Sequence, residues 1–248
     1  MPESKPETSP PPPRNRPWLP WQNLMLAATV MAVVGAVIEQ WNLQTGWPLG
    51  RKAFTPHPMI SEPVRLALLA LVWPLSLLSA RVATLWWMAR ARPGRAPGIR
   101  NLVLTATLAL WPQWLADTVA RGHLGWYTWV EPRWRLQGLV LDPLPGWWVG
   151  HLIALAAALP ALLDKHPHPR LPPLRAFLLW VVWNGLLLLA CVGHVEEATL
   201  ALLLAPFAVV TVCAFHAGYP AATDRTGPTT APPPNGAAPD RDPEGPSA

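Results

Sequence analysis

Charge is scarce in this chain: Asp, Glu, Lys and Arg together make up 13% of its 248 residues. An ordinary soluble domain of that length carries about twice that share, so a water-soluble globule is not the first reading. Cysteine is scarcer still. Cys191 and Cys213 both fall inside apolar runs, without metal-ligand spacing, so neither a disulfide framework nor a thiolate metal centre is indicated. There is no phosphate-binding loop, no dinucleotide fingerprint and no nucleophile elbow, and no cofactor is implied. The net charge of +5 is not gathered into a basic stripe, which excludes the usual footprint of a nucleic-acid partner. His166 and His168 flank Pro167 with no acidic or Cys partner nearby, and His216 stands alone, so no metal site is expected.

What the chain has instead is long apolar runs. Six are present: Leu24 to Ile38, Leu66 to Ala80, Leu102 to Ala116, Gly146 to Leu163, Ala176 to Val192 and Thr199 to Ala214. Extended by their flanks, each approaches the roughly 20 residues that a helix needs to cross the hydrocarbon core. Trp21 and Trp41 bracket the first run and Trp86 and Trp87 close the second, as interfacial anchors do. The expected fold is therefore all-α, a polytopic bundle of six transmembrane helices embedded in a lipid bilayer. Gly122, Gly125, Pro132 and Pro143 break the helical pattern between Arg121 and Pro145, where a partial, irregular or half-inserted seventh element is expected.

Three sections follow from the composition. Residues 1–20 and 219–248 are rich in Pro and poor in apolar side chains, so both read as disordered tails flanking a membrane domain over 21–218. Lys and Arg set the orientation. With the N-terminus inside, twelve fall on its side: Lys5, Arg14, Arg16, Arg90, Arg92, Arg95, Arg100, Lys165, Arg170, Arg175, Arg225 and Arg241. Six fall opposite: Arg51, Lys52, Arg65, Arg121, Arg133 and Arg135. The positive-inside rule then puts both termini in the cytoplasm of a cell whose inner membrane holds the bundle. Arg81, inside the second run, either snorkels or pairs within the bundle.

This topology gathers polar residues at the non-cytoplasmic level: Glu39, Asp117, Asp142, His151, His194, Glu196 and Glu197. A carboxylate near a membrane helix end is commonly just hydrated. If Glu39 or Asp117 faces the bundle interior, loss of hydration favours its protonated form, which a general acid requires. Tryptophan is abundant at 16 residues, and most of it suits an interfacial belt. The density between Trp111 and Trp148 also suits a slot for a flat apolar ligand whose carbocation an indole face can stabilise.

The stretch from Ile38 to Met59 resembles the E-x-x-x-x-x-T-G-F-P-F-G-x-Y-x-Y-T signature of the membrane-embedded carotenoid biosynthesis proteins, which include carotenoid and bisanhydrobacterioruberin hydratases. Glu39, Thr45, Gly46, Pro48 and Gly50 match, with Trp47 and Leu49 at its Phe positions. Asp117, Trp126 and Trp129 are similar to the family's Asp and following aromatics, and Gly138, Gly146 and Trp147 to a later Gly-Trp run. Val140, Pro143, Lys52 and Phe54 depart from the pattern, standing where the family has Pro, Asn, Tyr and Tyr. The resemblance implies a divergent hydratase that adds water to a terminal isoprenoid double bond of an acyclic or monocyclic carotenoid. Glu39 and Asp117 are then the catalytic carboxyls, Thr45, Gly46, Trp47, Trp126, Trp129 and Trp147 bind substrate, and Asp142, His151 and Glu196 assist. No metal or other cofactor is needed. The alternative is a non-catalytic membrane protein that binds a pigment or lipid or assists assembly of a complex.

Overall fold

The computed structural model describes residues 19–91, 98–136, 139–163 and 174–192, with the isolated positions Leu204, Ala208 and Thr211. Both tails, most of the sixth apolar run, and His194, Glu196, Glu197 and Gly138 lie outside the described residues.

Helices dominate. They are α1 (Trp21–Thr45), α2 (Glu62–Ala91), α3 (Ile99–Thr118), α4 (Pro143–Leu162) and α5 (Leu174–Cys191). Three of them, α1, α2 and α4, are long and apolar enough to cross a membrane. Among the described residues, which leave out most of the sixth run, this is fewer than the six spans expected from the runs. The helix over the third run carries Arg100, Asn101, Thr105, Thr107, Gln113 and Asp117, which dilute its apolar character. The fifth reaches 16 apolar residues, Ala176–Cys191. The described part of the segment between Arg121 and Pro145 is irregular, as its glycines and prolines suggest. Helix α3 runs on through a π turn, Val119–His123, into three short strands.

The bundle interior mixes polar side chains with its apolar core, and large aliphatic side chains face outward. Ser76, Ser79, Thr84, Asn101, Thr105, Gln113, His151 and Asn184 are all buried, whereas Val33, Val37, Ile153, Leu186 and Leu189 are exposed. Water would oppose this arrangement. It suits a hydrocarbon surround, in which apolar side chains gain nothing by burial and polar ones must find partners within the bundle. Arg81 follows the same logic: it is buried, and its guanidinium donates to the Leu162 carbonyl at the end of α4 at 3.1 Å. It pairs within the bundle.

Small residues let the helices approach. On α4, Gly146, Gly150, Ala154 and Ala158 recur every four residues and are buried, the spacing that brings helix backbones close in membranes. The ring of Trp73 from α2 fills the space this leaves. A Cβ at Gly35 of α1 would lie 2.5 Å from Trp73 Cγ, and one at Gly150 would lie 2.6 Å from Trp73 Cη2.

A small cap crosses the bundle end where α1 and α3 stop and α2 and α4 begin. Helix α1 ends on Gly46, whose left-handed backbone (φ 73°) directs its N–H to the Asn42 carbonyl at 2.7 Å. The Asn42 side chain then clasps the loop, donating to Gly50 O at 2.8 Å and accepting from Leu49 N–H at 2.9 Å. The loop leads into β1 (Lys52–Phe54), antiparallel to β2 (Tyr127–Trp129) in the register Lys52 to Trp129 and Phe54 to Tyr127. A second ladder pairs β3 (Arg135–Leu136) with β4 (Leu139–Val140). Arg65, near the start of α2, fixes the cap by donating to the carbonyls of Thr55 at 2.8 Å and Trp126 at 2.7 Å.

Close packing around Trp73 predicts that Gly150→Ala overpacks the bundle and lowers stability by about 1–3 kcal/mol. Gly185, beside which a Cβ would meet nothing within 4 Å, is the control: Gly185→Ala is expected to be neutral or slightly stabilising. Thermal unfolding of both variants in detergent checks the contrast.

Candidate functional site

A strand presents alternate side chains to one face, and in this cap the inward face carries the chemistry. Lys52, Tyr127 and Trp129 are buried, whereas Ala53 and Thr128 between them are exposed. The register therefore sets a lysine, a tyrosine and a tryptophan over the bundle end. The C-terminal halves of α1 and α3 supply carboxyls to meet them.

Glu39 is buried, and its Oε2 accepts from Lys52 Nζ at 2.6 Å in a pair whose side chains are 2% and 1% exposed. The ammonium also lies 4.9 Å from the centre of the Tyr127 ring and 4.8 Å from that of Trp129. Both rings then reach the second carboxyl. The Tyr127 hydroxyl donates to Asp117 Oδ1, and the Trp129 indole donates to Oδ2 at 3.3 Å. Arg121, one turn beyond Asp117, brings its Nε to 4.0 Å from Oδ2. Burial, and then the negative charge of Asp117, push the Tyr127 phenol well above its ordinary range. It stays protonated at neutral pH and serves as a donor.

The two carboxyls expected from sequence to act together are thus brought to one cluster, but in different states of engagement. Glu39 is neutralised by an ammonium. Asp117 is held chiefly by neutral donors, with the guanidinium at the limit of ion pairing. Both carboxyls are engaged as acceptors, Glu39 from the Lys52 ammonium and Asp117 from the Tyr127 hydroxyl and the Trp129 indole.

Beside the cluster opens a cleft of about 560 Å³, lined by Thr45, Gly46, Trp47, Gly50, Arg51, Trp129, Glu131, Arg133, Trp134 and Asp142. Trp129 is shared: it contacts the cluster and also forms part of the cleft wall. With Trp129, four of the expected substrate residues line this cleft, the others being Thr45, Gly46 and Trp47. Gly50 has a positive φ of 100°, and a Cβ there would lie 3.5 Å from the Trp129 ring, so glycine suits both the turn and the wall. Asp142 clasps the cap, accepting from the backbone N–H groups of Arg133 at 3.0 Å and Trp134 at 2.9 Å.

Other expected residues lie apart. Trp126 is half-buried beneath the cap, with its carbonyl bound by Arg65. Trp147 is buried in the bundle, and so is His151, whose Nδ1 sits 3.3 Å from the Ala106 carbonyl. Neither lines the cleft. Sequence reasoning treated Lys52 as a loop charge and passed over Tyr127 altogether. The alternation in Lys52-Ala53-Phe54 and Tyr127-Thr128-Trp129 was a signal for both, and Tyr127 is one of only two tyrosines in the chain. No group of three or more His, Cys, Asp or Glu among the described residues is arranged to hold a metal ion.

Removing one partner of a buried ion pair leaves the other charge stranded. Lys52→Met is therefore expected to cost about 3–5 kcal/mol, and the double variant Glu39→Gln/Lys52→Met considerably less. Chemical unfolding of the parent, Glu39→Gln, Lys52→Met and the double variant in detergent measures the coupling; a loss in the double variant equal to the sum of the two single losses would show the pair to be energetically idle. Comparison with protein-family models, with curated proteins and with solved structures finds no match to this chain.

Proposed function

We propose that this chain is a multi-pass membrane protein that adds water to a terminal isoprenoid double bond of an acyclic or monocyclic carotenoid. One observation carries the reading: Glu39 and Asp117, from different helices, are buried in a single cluster whose Trp129 also lines an open cleft. In this reading Asp117 acts in its protonated form, which its burial favours; the alkene end passes Trp129 from the cleft to reach it, and proton transfer to the less substituted carbon gives a tertiary carbocation. The Glu39–Lys52 pair is neutral as a whole and does not oppose that charge, while the aromatic faces stabilise it. Water entering past Thr45 and Trp47 forms the C–O bond and returns its proton to Asp117. The six-span topology in a bacterial inner membrane, with both termini cytoplasmic, belongs to the same proposal. Lys52 and Arg65 are buried and internally bonded and Arg121 reaches Asp117, so three of the six basic residues opposite the termini, Arg51, Arg133 and Arg135, remain as exposed loop charge.

A non-catalytic pigment- or lipid-binding protein is the second reading. What favours it is a groove of about 270 Å³ lined by Trp111, Trp114 and Trp180 together with Leu108, Leu110, Leu144 and Thr107, with no titratable side chain among them. Such a surface holds an apolar molecule without acting on it.

The two readings separate in cells supplied with an acyclic carotenoid precursor, with products resolved by chromatography and mass detection. Asp117→Asn is expected to lower conversion on the order of a hundredfold to ten-thousandfold, the usual cost of losing a general acid. Glu39→Gln, a positioning residue, is expected to lose less at matched protein level. Parent-like conversion by Asp117→Asn overturns the assigned acid. Purified parent protein that retains the precursor unchanged favours the binding role.

A further inference from the structure

Beneath the cap, the mid-bundle carries a set of polar atoms that the reaction above does not use. His151 on α4 is fully buried. Its Nδ1 lies 3.3 Å from the Ala106 carbonyl oxygen of α3. A carbonyl only accepts, so Nδ1 carries the proton and Nε2 presents a lone pair. Among the described residues Nε2 has no hydrogen-bond partner.

Three more buried atoms in the same state belong to Trp73, whose ring packs on His151, and to Trp147 and Ser76, which stand one turn along their helices from His151 and Trp73. Trp147 precedes His151 by one turn of α4, on the same face, and its indole N–H is unpartnered. The Trp73 ring from α2 meets the His151 ring edge-on, with centroids 5.0 Å apart, and its indole N–H is unpartnered too. Ser76 follows Trp73 by one turn and leaves its hydroxyl unpartnered. All four side chains are at most 1% exposed.

Buried polar atoms ordinarily find partners, most strictly where the surround is hydrocarbon. The four atoms are complementary to one kind of group. Nε2 needs a donor, the two indoles need an acceptor, and the serine hydroxyl can serve as either. No charged side chain belongs to the set, so an ion is a poor occupant, and a single imidazole does not make a metal site. A hydroxyl both donates and accepts while remaining neutral.

We propose that His151, Trp73, Ser76 and Trp147 form a buried binding site for one neutral hydroxyl group, supplied by water or by the alcohol end of an apolar ligand. The site lies on the membrane side of the cap: the Trp73 ring packs on Gly35, one turn before Glu39. A group bound there sits below the Lys52–Glu39 pair, within the bundle and apart from the open cleft. The inference stands independently of the hydratase reading, since it needs only the orphaned donors and acceptors.

The test is solid-state NMR on the full chain, labelled with ¹⁵N-histidine and reconstituted in phosphatidylcholine bilayers, with the His151 signals assigned by their loss in His151→Gln. Expected are a proton on Nδ1, a bare Nε2, and magnetisation transfer to Nε2 from exchangeable water protons. Ser76→Ala should weaken or abolish that transfer. If the hydroxyl comes from an alcohol instead, 1-dodecanol shifts the Nε2 resonance and dodecane does not. A proton on Nε2 overturns the proposal. So does an Nε2 that shows no water contact and responds either to neither probe or equally to both.

Discussion

Everything at the bundle end depends on a lysine turned inward. Two charges withdrawn from water carry a large desolvation cost, and only close pairing with further favourable contacts makes such a site tolerable. Lys52 meets both conditions: Glu39 Oε2 is 2.6 Å from its ammonium, and the Tyr127 and Trp129 rings each lie within 5 Å. Because Lys52 sits on a strand of three residues, its direction also sets the direction of the strand. A slip of one residue would turn Ala53 inward and expose the ammonium. The partners of Asp117 lie on the paired strand, so their placement rests on the same register.

The cap could not reach the bundle without the small residues beneath it. A Cβ at Gly146 would lie 2.6 Å from the Pro48 carbonyl oxygen, so the start of α4 meets the backbone of the Gly46–Gly50 loop directly. Below, Gly35 and Gly150 admit the Trp73 indole between α1 and α4. The interior that results is rich in hydroxyls, amides and indoles, and the outside is aliphatic. In water, burying those polar groups would bring no compensating gain, whereas in hydrocarbon their only partners are one another.

Two residues of β1 differ from the carotenoid-protein pattern that the sequence resembles. Lys52 and Phe54 stand where that pattern has tyrosines, and both fall on the inward side of β1. Lys52 takes the Glu39 carboxylate, and Phe54 meets the Tyr127 ring nearly edge-on at 5.8 Å while the Arg65 guanidinium covers its face at 4.9 Å. In the proposed hydratase this leaves Asp117, with Tyr127 as its donor, as the carboxyl without an ammonium partner.

The apolar runs by themselves determined that the chain is a helical bundle with long apolar helices, because hydrophobic length is a local property that any contiguous stretch displays. They also marked Glu39 and Asp117, since an acidic residue at the end of such a run stands out against its neighbours. The number of helices that meet the measure of a span was less legible, because Asn101, Thr105 and Gln113 look like interruptions in sequence yet serve as interior groups in the fold. What only the tertiary structure decided was the pairing of distant residues: that Lys52 is a buried partner and not a hydrated loop charge, that Tyr127 meets Asp117, and that Trp147 and His151 lie in the bundle and not in the cleft. Those outcomes depend on strand register and on helix approach at Gly35, Gly146 and Gly150. Both are relations between segments far apart in the chain, and no window along the sequence contains them.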